Sequence, residues 1–244
     1  MRLAILTPFE GKGWVLDRWL AALRAAALPE DTVLLWLCNA IGDAGFSLRL
    51  QEATVSLPAI LWHDATRIED VTPIIAKDST VARLWRELRL RLPEDVTHVL
   101  CLEDDVIIGP ATIGDLLTLS TDGMMVVGAP VPLRGEAYPA DWLPAAVDWL
   151  SFGCTLFPRM LFDAISLRAG KDQAPPIRGY DNWAGDEIRA LGARLIAAFT
   201  VRVQHLARPS MVARAGLPVS AESEKRKRVH GRNESYAHHA WRGQ

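Results

Sequence analysis

Thr97-His98-Val99-Leu100-Cys101-Leu102-Glu103-Asp104-Asp105-Val106-Ile107-Ile108-Gly109-Pro110 is the stretch from which the rest of the chain can be read. Its apolar opening, bounded by turn residues, predicts a buried central strand over 97–102. Three successive carboxylates follow at the carboxyl end, and they repel one another unless a positive group sits among them. In open α/β sheets that edge is where ligands bind. A divalent cation relieves the repulsion, because hard ions such as Mg²⁺ or Mn²⁺ prefer carboxylate oxygens. The competing reading is a solvated acidic turn leading to a helix at Pro110, and short motifs of this kind carry false positives.

Around this stretch lie 244 residues, half of them apolar and 23% charged, enough for one large α/β domain of ordinary globular composition. A net charge of −2 gives no reason to expect nucleic acid as a partner. No apolar run approaches the roughly 18–20 residues of a membrane span. The N-terminal Met1-Arg2-Leu3-Ala4-Ile5-Leu6-Thr7-Pro8 is too short a run for a secretory signal and reads as a first strand. Cys38, Cys101 and Cys154 occupy apolar segments without metal-ligand spacing. They are expected to be reduced core residues of a cytoplasmic protein.

Before the acidic stretch, residues 2–7 predict a strand closed by Pro8, and 14–28 an amphipathic helix carrying Leu16, Trp19, Leu20 and Leu23. Strands are expected at 32–38 and 59–62, with a helix at 46–55 between them and another at 77–92. Beyond the acids, Pro110 suits the first turn of a helix reaching 119. Strands at 124–131 and 152–157, a helix at 159–167, a helix at 183–191 capped by Gly192, and a strand at 195–203 complete the pattern. Alternating strands and helices imply right-handed βαβ units and a mostly parallel sheet flanked by helices. Residues 1–206 are expected to form one domain. Residues 207–244 form a basic tail, expected to be partly flexible, with Glu222 to Arg232 as a charge run. That tail reads as a solvated end, as a lid, or as a patch drawn to anionic lipid.

The acids Glu103-Asp104-Asp105 after a strand resemble the metal motif, usually Asp-x-Asp, of GT-A-fold glycosyltransferases of the family-2-like kind. Asp181, a helix ending at Gly192, and a strand leading to His205 repeat that family's later order. The resemblance spans residues 2–205. It implies a Rossmann-related GT-A-like domain that moves a sugar from a UDP- or GDP-linked donor to a glycan, lipid-linked or protein acceptor. It also implies Mn²⁺ or Mg²⁺ held by Asp105 and His205, with Glu103 a further metal candidate and Glu103 or Asp104 facing the nucleotide. Asp181 is the expected base of an inverting reaction, although the same residue also suits a helix N-cap. Where the family has Glu-Asp this chain has Tyr180-Asp181, so Asp186 and Glu187 are alternative bases.

The resemblance further places Thr7, Pro8 and Phe9 along the nucleotide, Asn39 and Asp64 at the base, and Lys77 and Arg83 near phosphates. Gly153 would let the backbone approach the diphosphate, and Trp142 and Trp149 would stack on sugar or acceptor. Two other readings share the core. A sugar-phosphate nucleotidyltransferase needs a glycine-rich basic loop after the first strand, of which Thr7-Pro8-Phe9-Glu10-Gly11-Lys12-Gly13 is a poor version. A nucleotide- or carbohydrate-binding protein without activity is the other.

Overall fold

The computed structural model describes residues 1–40, 42–66, 73–132, 141–168 and 179–206, with the backbone alone for 73–78. The basic tail and the side chain of Lys77 lie outside the described residues. One eight-stranded sheet runs in the order β3-β2-β1-β4-β8-β6-β9-β7. Its first half is parallel: β1 (Leu3–Phe9) pairs with β2 (Val33–Cys38) and β4 (His98–Leu102), and β2 pairs with β3 (Ala59–His63). The second half is mixed. β8 (Cys154–Pro158) runs antiparallel between β4 and β6 (Met125–Gly128), β9 (Arg194–Ala197) is parallel to β6, and β7 (Ala145–Ala146) closes the edge antiparallel to β9.

Alternation along the strands feeds two separate cores, as the period of two requires. Leu3, Ile5 and Phe9 of β1 and Leu100 and Leu102 of β4 join one core with α1 (Leu16–Ala25), α2 (Ala44–Ala53) and α4 (Thr112–Leu119). Ala4, Leu6, Val99 and Cys101 join the other with α3 (Pro73–Arg89), α5 (Arg159–Ala164) and α6 (Tyr180–Ala190). The molecule is therefore a helix–sheet–helix sandwich. All three cysteines are free and buried, and burial pushes the Cys154 thiol up to about 12, which keeps it an inert core group.

Three departures from the expected elements matter for the site. The first strand continues through Pro8 to Phe9, because β4 pairs with β1 only as far as Leu6 and the missing proline N–H falls beyond that ladder. Helix α6 starts at Tyr180, three residues earlier than its apolar spacing suggested, with Gly179 as N-cap. The strand expected at 195–203 is two strands: β9 ends at Ala197, and β10 (Val203–His205) leaves the main sheet. There β10 pairs antiparallel with β5 (Val106–Ile108), which follows the acids directly, in the register Val203↔Ile108 and His205↔Val106.

Candidate active site

The acids stand where β4 ends. Glu103 N–H extends the ladder to the Gly153 carbonyl at 3.0 Å, and the chain then turns, with Val106 N–H donating to the Glu103 carbonyl at 3.2 Å. Trp19 of α1 donates its indole N–H to the same carbonyl at 3.1 Å. That turn leaves Asp104 and Asp105 only 3% and 1% exposed, so their charges need partners inside the protein.

Lys12 is the first partner. Gly11 takes a φ of +82°, left-handed backbone that favours glycine, and a Cβ there would lie 3.2 Å from the Ala40 Cβ. The loop folds back over the acids through this residue. Lys12 Nζ lies 2.6 Å from Asp104 Oδ1 and 3.0 Å from Asp105 Oδ2, and Glu10 N–H donates to Asp104 Oδ2 at 3.1 Å. Burial works against the ammonium charge, but Asp104, Asp105 and Glu103 outweigh it and hold Lys12 well above the usual lysine range.

His205 is the second. The β5–β10 pairing, with Leu206 N–H donating to the Asp105 carbonyl at 3.0 Å, sets His205 Nε2 3.6 Å from Asp105 Oδ2. Its Nδ1 lies 3.1 Å from the Pro132 carbonyl, which can only accept, so Nδ1 is the donor and Nε2 the nitrogen facing the carboxylate. Burial alone would raise the Asp105 carboxyl. The neighbouring His205 and the charge of Lys12 instead hold it well below the usual carboxylate range.

Glu103 has a different neighbourhood. Its Oε1 accepts from the Tyr180 hydroxyl at 2.8 Å, across the sheet edge from α6. Burial and then the charge of Asp105 raise its carboxyl, and burial also raises Asp104 against the pull of Lys12. Glu103, expected as a further metal candidate, has one carboxylate oxygen bonded to Tyr180. The donors suited to a divalent cation are Asp105 and His205: one carboxylate oxygen and one imidazole nitrogen whose other nitrogen is anchored. Among the described residues, no group of three or more His, Cys, Asp or Glu assembles around a metal position. A two-donor site still fits Mn²⁺ or Mg²⁺, since such ions often use one or two side chains and complete their shell with phosphate oxygens and water.

Tyr180 also fixes where Asp181 stands. Gly179 N–H donates to Asn182 Oδ1 at 3.1 Å, which caps α6, and Asp181 sits inside the first turn rather than at the cap. Further along, Asp186 pairs with Arg189 one turn on. Glu187 accepts from the Ser166 N–H and hydroxyl, both at 2.6 Å, and therefore belongs to the segment after α5 and not to the acidic edge. Of the three carboxylates considered as base, Asp181 alone is adjacent in sequence to the Tyr180–Glu103 link.

The remaining candidates divide. Asn39, Asp64 and Arg83 do come together at the ends of β2 and β3. There Arg83 pairs with Asp64, and Asn39 Nδ2 donates to the carbonyls of Asp64 and Thr66 at 3.0 and 3.2 Å. Thr7, Pro8 and Phe9 lie buried in β1, with Phe9 in edge contact with Trp19 and Trp36. Gly153 makes room for packing: a Cβ there would lie 2.5 Å from Val131 Cγ2 and 3.2 Å from Val106 Cγ2. Trp142 packs edge-on against Phe199, with ring centroids 4.9 Å apart. Trp149 lies against Gly185 of α6, where a Cβ would come within 2.9 Å of its own. Sequence reasoning missed Lys12 and Tyr180 as site residues. The signal for Lys12 was present, a lysine flanked by glycines just after β1. For Tyr180 only a substituted family position marked it.

No protein-family model matches this sequence, and no curated protein matches it. Solved structures match its fold. The mannosyltransferase PcManGT from Pyrobaculum calidifontis, in complex with GDP-Man and Mn²⁺, aligns over 80% of this chain and 54% of its own, with a TM-score of 0.59 and 13% identity. TarS 1–349 from S. aureus, in complex with UDP, aligns over 88% and 63% with a TM-score of 0.62 and 11% identity. GalNAc-T7 with UDP, GalNAc and Mn²⁺ aligns over 84% and 43% with a TM-score of 0.60 and 13% identity. This chain thus spans from 43% to 63% of the length of those three. The architecture is that of GT-A-type glycosyltransferases.

Proposed function

We propose that this protein is a glycosyltransferase, taking a UDP- or GDP-linked sugar at the carboxyl edge of β1 and β4 and passing the sugar to an acceptor hydroxyl. One observation carries the reading: within a GT-A-type fold, the β5–β10 pairing brings His205 to Asp105 across about a hundred residues of chain. Asp105 and His205 would hold a divalent ion, with Mn²⁺ favoured by the nitrogen donor. When bound, that ion supplies Lewis-acid neutralisation of the leaving diphosphate. The Pro132 carbonyl orients the imidazole for this, and Tyr180 keeps Glu103 turned to α6. Asp181, in the first turn of that helix, takes the proton of the acceptor hydroxyl, a general-base role worth roughly 10²–10⁴-fold and consistent with inversion. Asn39, Asp64 and Arg83 form the edge that meets the base.

The catalytic domain is residues 1–206. The acceptor is a glycan, a lipid-linked sugar or a protein, and three free buried thiols support a cytoplasmic setting. Among the described residues no helix is long and apolar enough to cross a membrane.

Thermal unfolding with UDP or GDP, in Mn²⁺ or in chelator, tests the reading. At about a hundred times the dissociation constant, ligand binding adds roughly 2.7 kcal/mol, a rise of about 5–10 °C for a chain of this size. That rise should need Mn²⁺ and should vanish in Asp105→Ala and His205→Ala. Neither nucleotide shifting the transition in Mn²⁺ would overturn the reading. A donor-sugar assay then separates the chemistry: a transferase releases the nucleoside diphosphate, whereas a nucleotidyltransferase exchanges pyrophosphate.

A further inference from the structure

We propose that Lys12 is a built-in counterion that competes with the divalent cation for Asp105, so that the metal enters the site together with a diphosphate and not alone. The inference rests on the nucleotide-sugar reading of the same edge. Its ground is the placement of the ammonium, 3.0 Å from the Asp105 oxygen that also faces His205 Nε2 at 3.6 Å. A cation bridging Asp105 and His205 would sit at about 2.0–2.2 Å from each donor atom. An ammonium at its present distance from the same oxygen would then face a divalent charge at close range. The two cations therefore exclude each other unless Lys12 swings away. Its flexible four-carbon stem allows that movement, but Asp104 at 2.6 Å holds it back. A diphosphate changes the balance, because its oxygens offer the displaced ammonium a new anionic partner and the metal further ligands. Gly11, folding the loop back, and Glu10 N–H, bonded to Asp104, keep Lys12 poised over the acids.

Mn²⁺ alone is the probe, followed by the loss of the free-ion paramagnetic resonance signal as protein is added. Wild type should bind Mn²⁺ weakly, and Lys12→Met at least tenfold more tightly. Because Lys12→Met leaves neighbouring carboxylates unbalanced and is prone to misfolding, the decisive variant is Lys12→Met with Asp104→Asn. It removes one charge of each sign, and the introduced amide oxygen can still accept from the Glu10 N–H. This double variant should also gain at least tenfold, and adding Asp105→Ala to it should abolish the gain. Mn²⁺ affinity in the double variant no higher than in wild type would overturn the competition. If wild type still takes up Mn²⁺ with UDP or GDP, only the role of Lys12 fails; if it does not, the nucleotide-sugar reading fails with it.

Discussion

Glu103, Asp104 and Asp105 are neighbours in sequence with opposite electrostatic fates. Asp105 is depressed by His205 and Lys12, so its contribution to stability is present above its unfolded value near 4 and is lost as pH falls through its folded value. Glu103 is raised, so the native state binds the extra proton, and its effect runs the other way. Stability associated with Glu103 falls as pH rises from about 4 through the folded value and stays lower above it. Glu103→Gln, which can still accept from Tyr180, should therefore unfold at a higher temperature than wild type at pH 7. The gain should shrink to nothing below about pH 4, in matched melts across the range. Asp181 poses the catalytic question at this scale. Asp181→Asn should keep nucleotide binding and change stability by no more than about 1 kcal/mol, the usual worth of a first-turn charge. It should lower sugar transfer by roughly 10²–10⁴-fold. Glu187→Gln should weaken the Ser166 contact and leave transfer intact. Normal turnover in Asp181→Asn would sink that residue as base.

Helix α6 is the element that joins the chemistry to the scaffold. Its Tyr180 end reaches Glu103, and its middle lies against the segment before β8 through Gly185. An alanine Cβ at Gly185 would come 2.7 Å from the Asp148 carbonyl oxygen and 2.9 Å from the Trp149 Cβ. Glycine to alanine inside an exposed helix normally stabilises by up to about 1 kcal/mol. Here it should destabilise, by about 1–3 kcal/mol, because a backbone oxygen and a Cβ fixed to the backbone cannot give without moving the helix. Denaturant melts of Gly185→Ala measure the sign directly, and a stabilised variant would show that the helix stands clear of residues 148–149. Tyr180→Phe separates positioning from packing. The ring stays between Phe152 and its neighbours, while Glu103 loses its hydroxyl donor, at about 1–3 kcal/mol.

Across the whole molecule, a parallel half ending at Asn39, Asp64 and the acids meets a mixed half that supplies α6 and β10. The two halves share β4 and its antiparallel partner β8, so the sheet is continuous and its two faces bury separate cores. Every described element is complete by His205. A chain truncated near Ser220 should therefore keep the melting temperature and nucleotide response of the full chain. A fall of more than about 5 °C, more than a kilocalorie or two at this length, would show that later residues stabilise the domain.

Much of this architecture is written locally. Apolar runs over residues 32–38 and 97–102, the spacing of Leu16, Trp19, Leu20 and Leu23, and Gly192 with its φ of +77° at the end of α6 each act within a few residues. Strand alternation with helices followed from them, as did the acids at a sheet edge and a histidine further along. Long-range pairing was not written that way. A three-residue strand such as β5 or β10 has no periodicity of its own and exists only because its partner is there, so the step that carries His205 to Asp105 depends on closure of the whole sheet. The same holds for Lys12. As a sequence feature it was one cation in an irregular loop. Folding of that loop around Gly11 sets it between two buried carboxylates, whose charges it offsets.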